Sequence, residues 1–166
     1  MIKNIVLIGM PGVGKSTVGV ILAKELGYNF VDSDLIIQTN EKRLLSEIIE
    51  QEGIDGFLKI ENQVNASLCV QKAVIATGGS VVYGYEAMEH LKKIGNIIYL
   101  KLSYQALEKR LDNLEGRGVV VKSGQTLRNI YDERTPIYEK YANHIIDEEN
   151  LDIEKTLQKI VEVIGN

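Results

Sequence analysis

The run Gly9-Met10-Pro11-Gly12-Val13-Gly14-Lys15-Ser16, followed by Thr17, has the spacing G-x-x-x-x-G-K-[ST]. That spacing suits phosphate for local reasons. Glycines at 9, 12 and 14 let the main chain curl until successive N–H groups point inward at phosphate oxygens. A helix beginning near Lys15 adds the positive end of its dipole. The Lys15 ammonium reaches the β- and γ-phosphates, and the Ser16 hydroxyl ligates Mg²⁺. Gly12, Val13, Gly14, Lys15, Ser16 and Thr17 are therefore the predicted nucleotide cradle, for ATP with Mg²⁺. A dinucleotide fingerprint starting at Gly12 needs glycine at position 17, where Thr17 stands. A chance glycine-rich turn leaves eight constrained positions unexplained.

Other chemistry-bearing residues come later. Asp32 and Asp34 flank Ser33 at the end of Phe30-Val31, a predicted strand, and ligands in open α/β sheets bind at such ends. Thr77-Gly78-Gly79-Ser80 closes another apolar run, where glycines let a ligand approach the backbone. Gly116-Arg117-Gly118 sits in a glycine-rich stretch, and Arg134-Thr135-Pro136-Ile137-Tyr138 follows. The guanine-reading N-K-x-D motif is missing, as are the protein-kinase H-R-D and D-F-G motifs.

The elements that must position these groups alternate along the chain. Ile5 to Ile8, Asn29 to Val31, Ala73 to Ala76, Asn96 to Leu100 and Asn143 to Ile146 read as short strands, the first as a continuous apolar run buried on both faces. Helices are expected over 18–26, 45–70 with interruptions near Gly53 and Gly56, 86–93, 104–111, 127–141 and 153–164. Pro136 is expected to bend or break the helix that holds it. This alternation predicts a three-layer α/β/α domain spanning residues 1–166, with a five-stranded parallel sheet and helices on both faces. A helical region over about 33–61 would bind the acceptor, and a mobile lid would cover about 112–124.

Composition narrows the partners. The net charge is −4 and the pI about 5.3, which disfavours non-specific nucleic-acid binding. No run reaches the ~18 apolar residues of a membrane span. The lone cysteine, Cys69, allows no internal disulfide and fits a reducing, cytoplasmic setting. It is read as a small core residue. The chain is expected to act as a monomer on a small molecule.

Taken together, the phosphate loop, the D-x-D at Asp32 and Asp34, the glycine turn at 77–80 and the R-x-P-[LI]-Y at 134–138 resemble the shikimate kinase family over nearly the whole chain. The resemblance implies phosphorylation of shikimate to shikimate 3-phosphate. It implies that Ser16 and Asp32 hold Mg²⁺, and that Asp34 binds the acceptor hydroxyls and is the candidate base. Gly78 and Gly79 would offer backbone N–H groups, Arg134 would clamp a carboxylate, Arg117 would stabilise the transferring phosphoryl from the lid, and Arg110 would lie near adenine or ribose. Lys15, Asp34 and Arg117 form the implied catalytic set. Plain structural alternatives exist: Asp32 and Asp34 also suit helix N-caps, and the arginines also suit solvated faces.

The sequence departs from the family pattern G-E-x-x-F-R-x-x-E over 53–61, with Ile54 for the first Glu and Leu58 for Arg. Leucine cannot pair with a carboxylate. Losing one charge-assisted contact costs about 1.5–3 kcal/mol of binding. Ser80 replaces a glycine and Gly118 a proline. Two alternatives therefore stand beside shikimate kinase activity: a related kinase for another polyol or sugar acid, and a nucleotide-binding protein without turnover.

Overall fold

Ile5, Val6, Leu7 and Ile8 are buried, as a strand covered on both faces must be. They form β1 (Asn4–Ile8), the middle strand of a five-stranded parallel sheet in the order β2-β3-β1-β4-β5. The other strands are β2 (Asn29–Asp32), β3 (Ala73–Ala76), β4 (Gly95–Lys101) and β5 (His144–Asp147). The structure, a computed structural model, describes residues 4–112 and 124–165. Arg117 and most of the predicted lid lie outside the described residues.

Seven helices connect and follow the strands among the described residues: α1 (Lys15–Leu26), α2 (Ser33–Glu41), α3 (Leu45–Ala66), α4 (Tyr85–Ile94), α5 (Tyr104–Asp112), α6 (Leu127–Tyr141) and α7 (Ile153–Gly165). With the right-handed rule for parallel crossovers, the sheet order assigns α1 to one face with α7, which it contacts, and the helices of the β3–β4 and β4–β5 crossovers to the other, where α4 and α6 touch β4; α3 packs on α4 and α2 on α3. This is the predicted three-layer architecture. Parallel register aligns Leu7 with Ala76 and Ile98, so the loops after β1 and β3 emerge side by side.

Three local expectations change. The region 45–70 ends as a helix at Ala66, and its interior irregularity is confined to Gly53 (φ 72°, ψ 176°), while Gly56 stays helical. Because the chain leaves the helix there and turns Leu68 inward, Cys69 is exposed and not part of the core. The helix α6 runs through Pro136 without a break. Its buried neighbours Arg134 and Tyr138, one on each side, are both anchored, to Tyr83 and to the carbonyl of Gly79.

Candidate active site

The loop after β1 closes on itself. Gly9, Gly12 and Gly14 have φ of 147°, 86° and 97°, in the region open to glycine, and a side chain at Gly9 would stand 2.7 Å from the Leu100 carbonyl oxygen. Lys15 folds back over this loop. Its Nζ donates to the carbonyls of Gly9 and Met10 at 2.8 and 2.9 Å. An ammonium has three donors, so one remains for a phosphate oxygen. Burial lowers Lys15 to about 8; Asp34 pulls it up, Arg134 pushes it down, and Glu148 and Asp32 pull it up. A phosphate placed here would favour the charged form that burial disfavours.

Asp32 performs two tasks at once. Its Oδ1 accepts from the backbone N–H groups of Asp34 and Leu35 at 3.0 and 3.4 Å, capping α2. Its Oδ2 accepts from Ser16 Oγ at 2.9 Å. The cap thus belongs to Asp32, and Asp34, in the first turn of α2, is released from it. The Ser16–Asp32 pair sits at the edge of the phosphate loop as a hydroxyl and a carboxylate oxygen, a donor set of the hard type that Mg²⁺ prefers.

Asp34 and Arg134 open onto the same cavity. It is walled by Pro11, Leu45 and Phe57, by Gly78, Gly79 and Ser80 of the turn after β3, and by Glu61 of α3. Its volume is about 30 Å³, the room of a single water. Asp34 Oδ1 has no hydrogen-bond partner among the described residues. Burial, reinforced by the Asp32 carboxylate and opposed by Lys15, raises its pKa to about 6. Arg134 is 2% exposed. Its Nε donates to Tyr83 Oη at 3.3 Å, and its guanidinium lies 5.3 Å from the Tyr83 ring centroid. Tyr83 in turn donates to Glu133. Tyr138 stacks on Tyr99 and donates to the Gly79 carbonyl, pinning the glycine turn to α6.

A second opening, about 250 Å³, lies on the other side of the phosphate loop between Val13, Gly14, Thr17, Arg110, Glu148 and Thr156. Arg110 Nη1 donates to the Val13 carbonyl at 3.2 Å. Glu148 is buried, and burial raises its pKa to about 7 against Arg110 and Lys15.

The described candidates therefore fall into two groups around Lys15: Gly12 to Thr17 with Asp32 and Arg110, and Asp34, Gly78, Gly79 and Arg134. Leu58 does not reach the cavity; it packs against the apolar cluster of Ile37, Ile48, Phe57 and Val64. Glu61, Ser80 and Glu148 border these groups without belonging to the set that the sequence predicts. For Glu61 a signal existed: an acid four residues after Phe57 and three before Val64 falls on the buried stripe of α3.

A family model described as shikimate kinase matches residues 11–165. The chain belongs to the shikimate kinase family. Among curated family relatives, shikimate kinase 2 of Yersinia pseudotuberculosis is 34% identical over 156 residues, covering 89% of this chain and 87% of its own. Among solved shikimate kinases, one from Acinetobacter baumannii in complex with shikimate superposes with a TM-score of 0.89. It is 33% identical and is covered to 93%, against 99% of this chain. The enzyme from Aquifex aeolicus superposes with a TM-score of 0.79 at 28% identity, covering 98% of this chain and 96% of its own.

Proposed function

We propose that this protein transfers the γ-phosphoryl group of ATP to a ring hydroxyl of shikimate, giving shikimate 3-phosphate and ADP. The observation that carries the reading is the convergence, on either side of Lys15, of a phosphate-cradling loop and a cavity bearing Asp34 and Arg134. Kinship with shikimate kinases supports the identity of both substrates.

The chemistry divides among the residues as follows. Phosphoryl transfer needs an in-line hydroxyl and stabilised equatorial oxygens, with little covalent help from protein. Amides of the loop and Lys15 hold the β- and γ-phosphates. Asp34 orients the attacking hydroxyl; its oxygen forms a bond to phosphorus as the β,γ-bridge breaks, and its proton passes to Asp34. A carboxyl raised to about 6 by burial remains ionised at neutral pH yet is a stronger base than an exposed aspartate. Arg134 pairs with the acceptor carboxylate, and Gly78 and Gly79 let the ring approach the main chain. Arg110 borders the opening proposed for the base and ribose, and Arg117 is proposed to act from the lid.

Ser16 and Asp32 would hold Mg²⁺, which neutralises phosphate charge when bound. The region over residues 33–61 must shift outward to admit a ring acid, since the cavity holds only about 30 Å³. The protein is proposed to act as a cytoplasmic monomer without nucleic-acid or membrane partners. Among the described residues no helix is long and apolar enough to cross a membrane.

ADP release measured against a panel of cyclic hydroxy acids tests this reading. Shikimate should give the highest kcat/KM. Preference for another acid would identify a related kinase, and nucleotide binding without turnover on any acceptor would refute the enzyme.

A further inference from the structure

Glu61 lies on the buried face of α3 with only 1% of its surface exposed. A carboxyl so placed needs hydrogen-bond partners, and only half of this one is satisfied. Oε2 accepts from Ser80 Oγ at 2.6 Å, whereas Oε1 has no hydrogen-bond partner among the described residues. Glu61 forms part of the wall of the acceptor cavity. A Cβ built on Gly78 would stand 2.4 Å from Glu61 Oε1 and 2.9 Å from Asp34 Oδ1, so the two carboxyl oxygens are no farther apart than the sum of those distances. With Leu58 turned into its apolar cluster, Arg134 is the only cation among the described residues that line this cavity.

We propose that Glu61, oriented by Ser80, is a direct acceptor-binding group that engages the acceptor as a neutral carboxylic acid and so ties acceptor affinity to pH. The inference rests on the reading of this cavity as the shikimate site. An ionised Glu61 beside Asp34 would set two negative charges in a cavity that must receive an anionic acid. A neutral Glu61 instead donates one hydrogen bond to an acceptor oxygen and relieves the orphaned Oε1.

The surrounding groups agree with that state. Burial is the largest influence and raises Glu61 to about 7. The Ser80 hydroxyl opposes it, Asp34 of α2 reinforces it, and Arg134 of α6 and Lys15 of α1 oppose it. Tyr83, in the short 3-10 turn Val81–Tyr83, contacts Arg134 and Glu133.

The test compares the pH dependence of KM for shikimate between pH 6 and 9 in the wild type, in Glu61→Gln and in Ser80→Ala. Glutamine keeps the size and a donor but does not titrate. The wild-type KM should rise toward about tenfold per pH unit above the Glu61 transition, and that of Glu61→Gln should lack this rise. Ser80→Ala removes a hydrogen bond to the charged form, so its rise should begin at higher pH. Calorimetry of shikimate binding near pH 7.5, in buffers of different ionisation enthalpy, should show proton uptake by the wild type that Glu61→Gln lacks.

Matching KM profiles and matching uptake in wild type and Glu61→Gln overturn the inference, as does an unmoved profile in Ser80→Ala. If the wild type itself neither binds nor turns over shikimate, the functional reading fails and the inference with it. Turnover with matching profiles removes the inference alone.

Discussion

Replacing Gly78 by alanine isolates the role of the turn after β3. Gly78 does not adopt the left-handed backbone conformation that excludes other residues, so alanine is acceptable to the main chain. The objection is contact. The added methyl would stand 2.4 Å from Glu61 Oε1 and 2.9 Å from Asp34 Oδ1, well inside van der Waals separation. Glu61 is buried and Asp34 half-buried, so each carboxyl end must turn aside within the cavity, away from the position it holds toward an acceptor.

Overpacking of this kind costs about 1–3 kcal/mol. Because the two carboxyls that must yield both line the acceptor cavity, the displacement falls on acceptor binding. If all of it appears there, KM for shikimate rises about 5- to 150-fold, while the affinity for ATP, proposed to bind on the other side of Lys15, changes little. Steady-state ADP release with varied shikimate and then varied ATP measures both. A shikimate KM within twofold of wild type, in a folded variant, would refute the claim that Gly78 is the close-approach point of the acceptor site.

Lys15→Met removes the ammonium that donates to the loop carbonyls and that is proposed to hold the transferring phosphates; kcat should fall by at least about 10²–10³, with the circular dichroism spectrum unchanged. Tyr138→Phe leaves the Gly79 carbonyl without its hydroxyl donor. It should cost about 1–3 kcal/mol of stability, read as a Tm drop of about 2–4 °C per kcal/mol for a chain of this size. Glu61 and Glu148 both have pKa values raised from 4.5 to about 7 by burial. An acid raised in the folded state binds more protons there than when unfolded. Its stabilising contribution is complete below 4.5 and is lost as pH rises through 7. The stability of the free protein, and with it the Tm, should therefore fall between about pH 5 and 7, and Glu148→Gln should shrink that loss of stability by on the order of 1–3 kcal/mol.

Much of this was legible in the residues. The apolar run at 5–8, the glycines and Lys15 sufficed to place a phosphate loop between a central strand and a helix, because each of those features is local. Asp34 and Arg134, a hundred positions apart, could be paired only through the family resemblance; the structure joins them by setting β3 between β2 and β1 and by packing α6 against the turn after β3. Cys69 escaped prediction because the end of α3 at Ala66 has no strong stop signal, and Ser67 supplies only a weak one. The sequence allows Asp32 as metal ligand or cap, and its two oxygens serve the Ser16 side and the cap separately. Glu61 is not legible as a site residue because an acid on an apolar stripe becomes meaningful only through its neighbours Ser80 and Gly78, and these lie on another loop.

The central claim is that the loop at 9–17 and the cavity of Asp34 and Arg134 act on two substrates of one phosphoryl transfer. Phosphorus NMR of the protein with ATP, Mg²⁺ and shikimate tests it most directly. The account predicts that the γ-phosphate resonance disappears as a phosphomonoester resonance and those of ADP grow in equal amounts, only when shikimate is present. ATP left intact, or ADP formed with inorganic phosphate and no phosphomonoester, would contradict it.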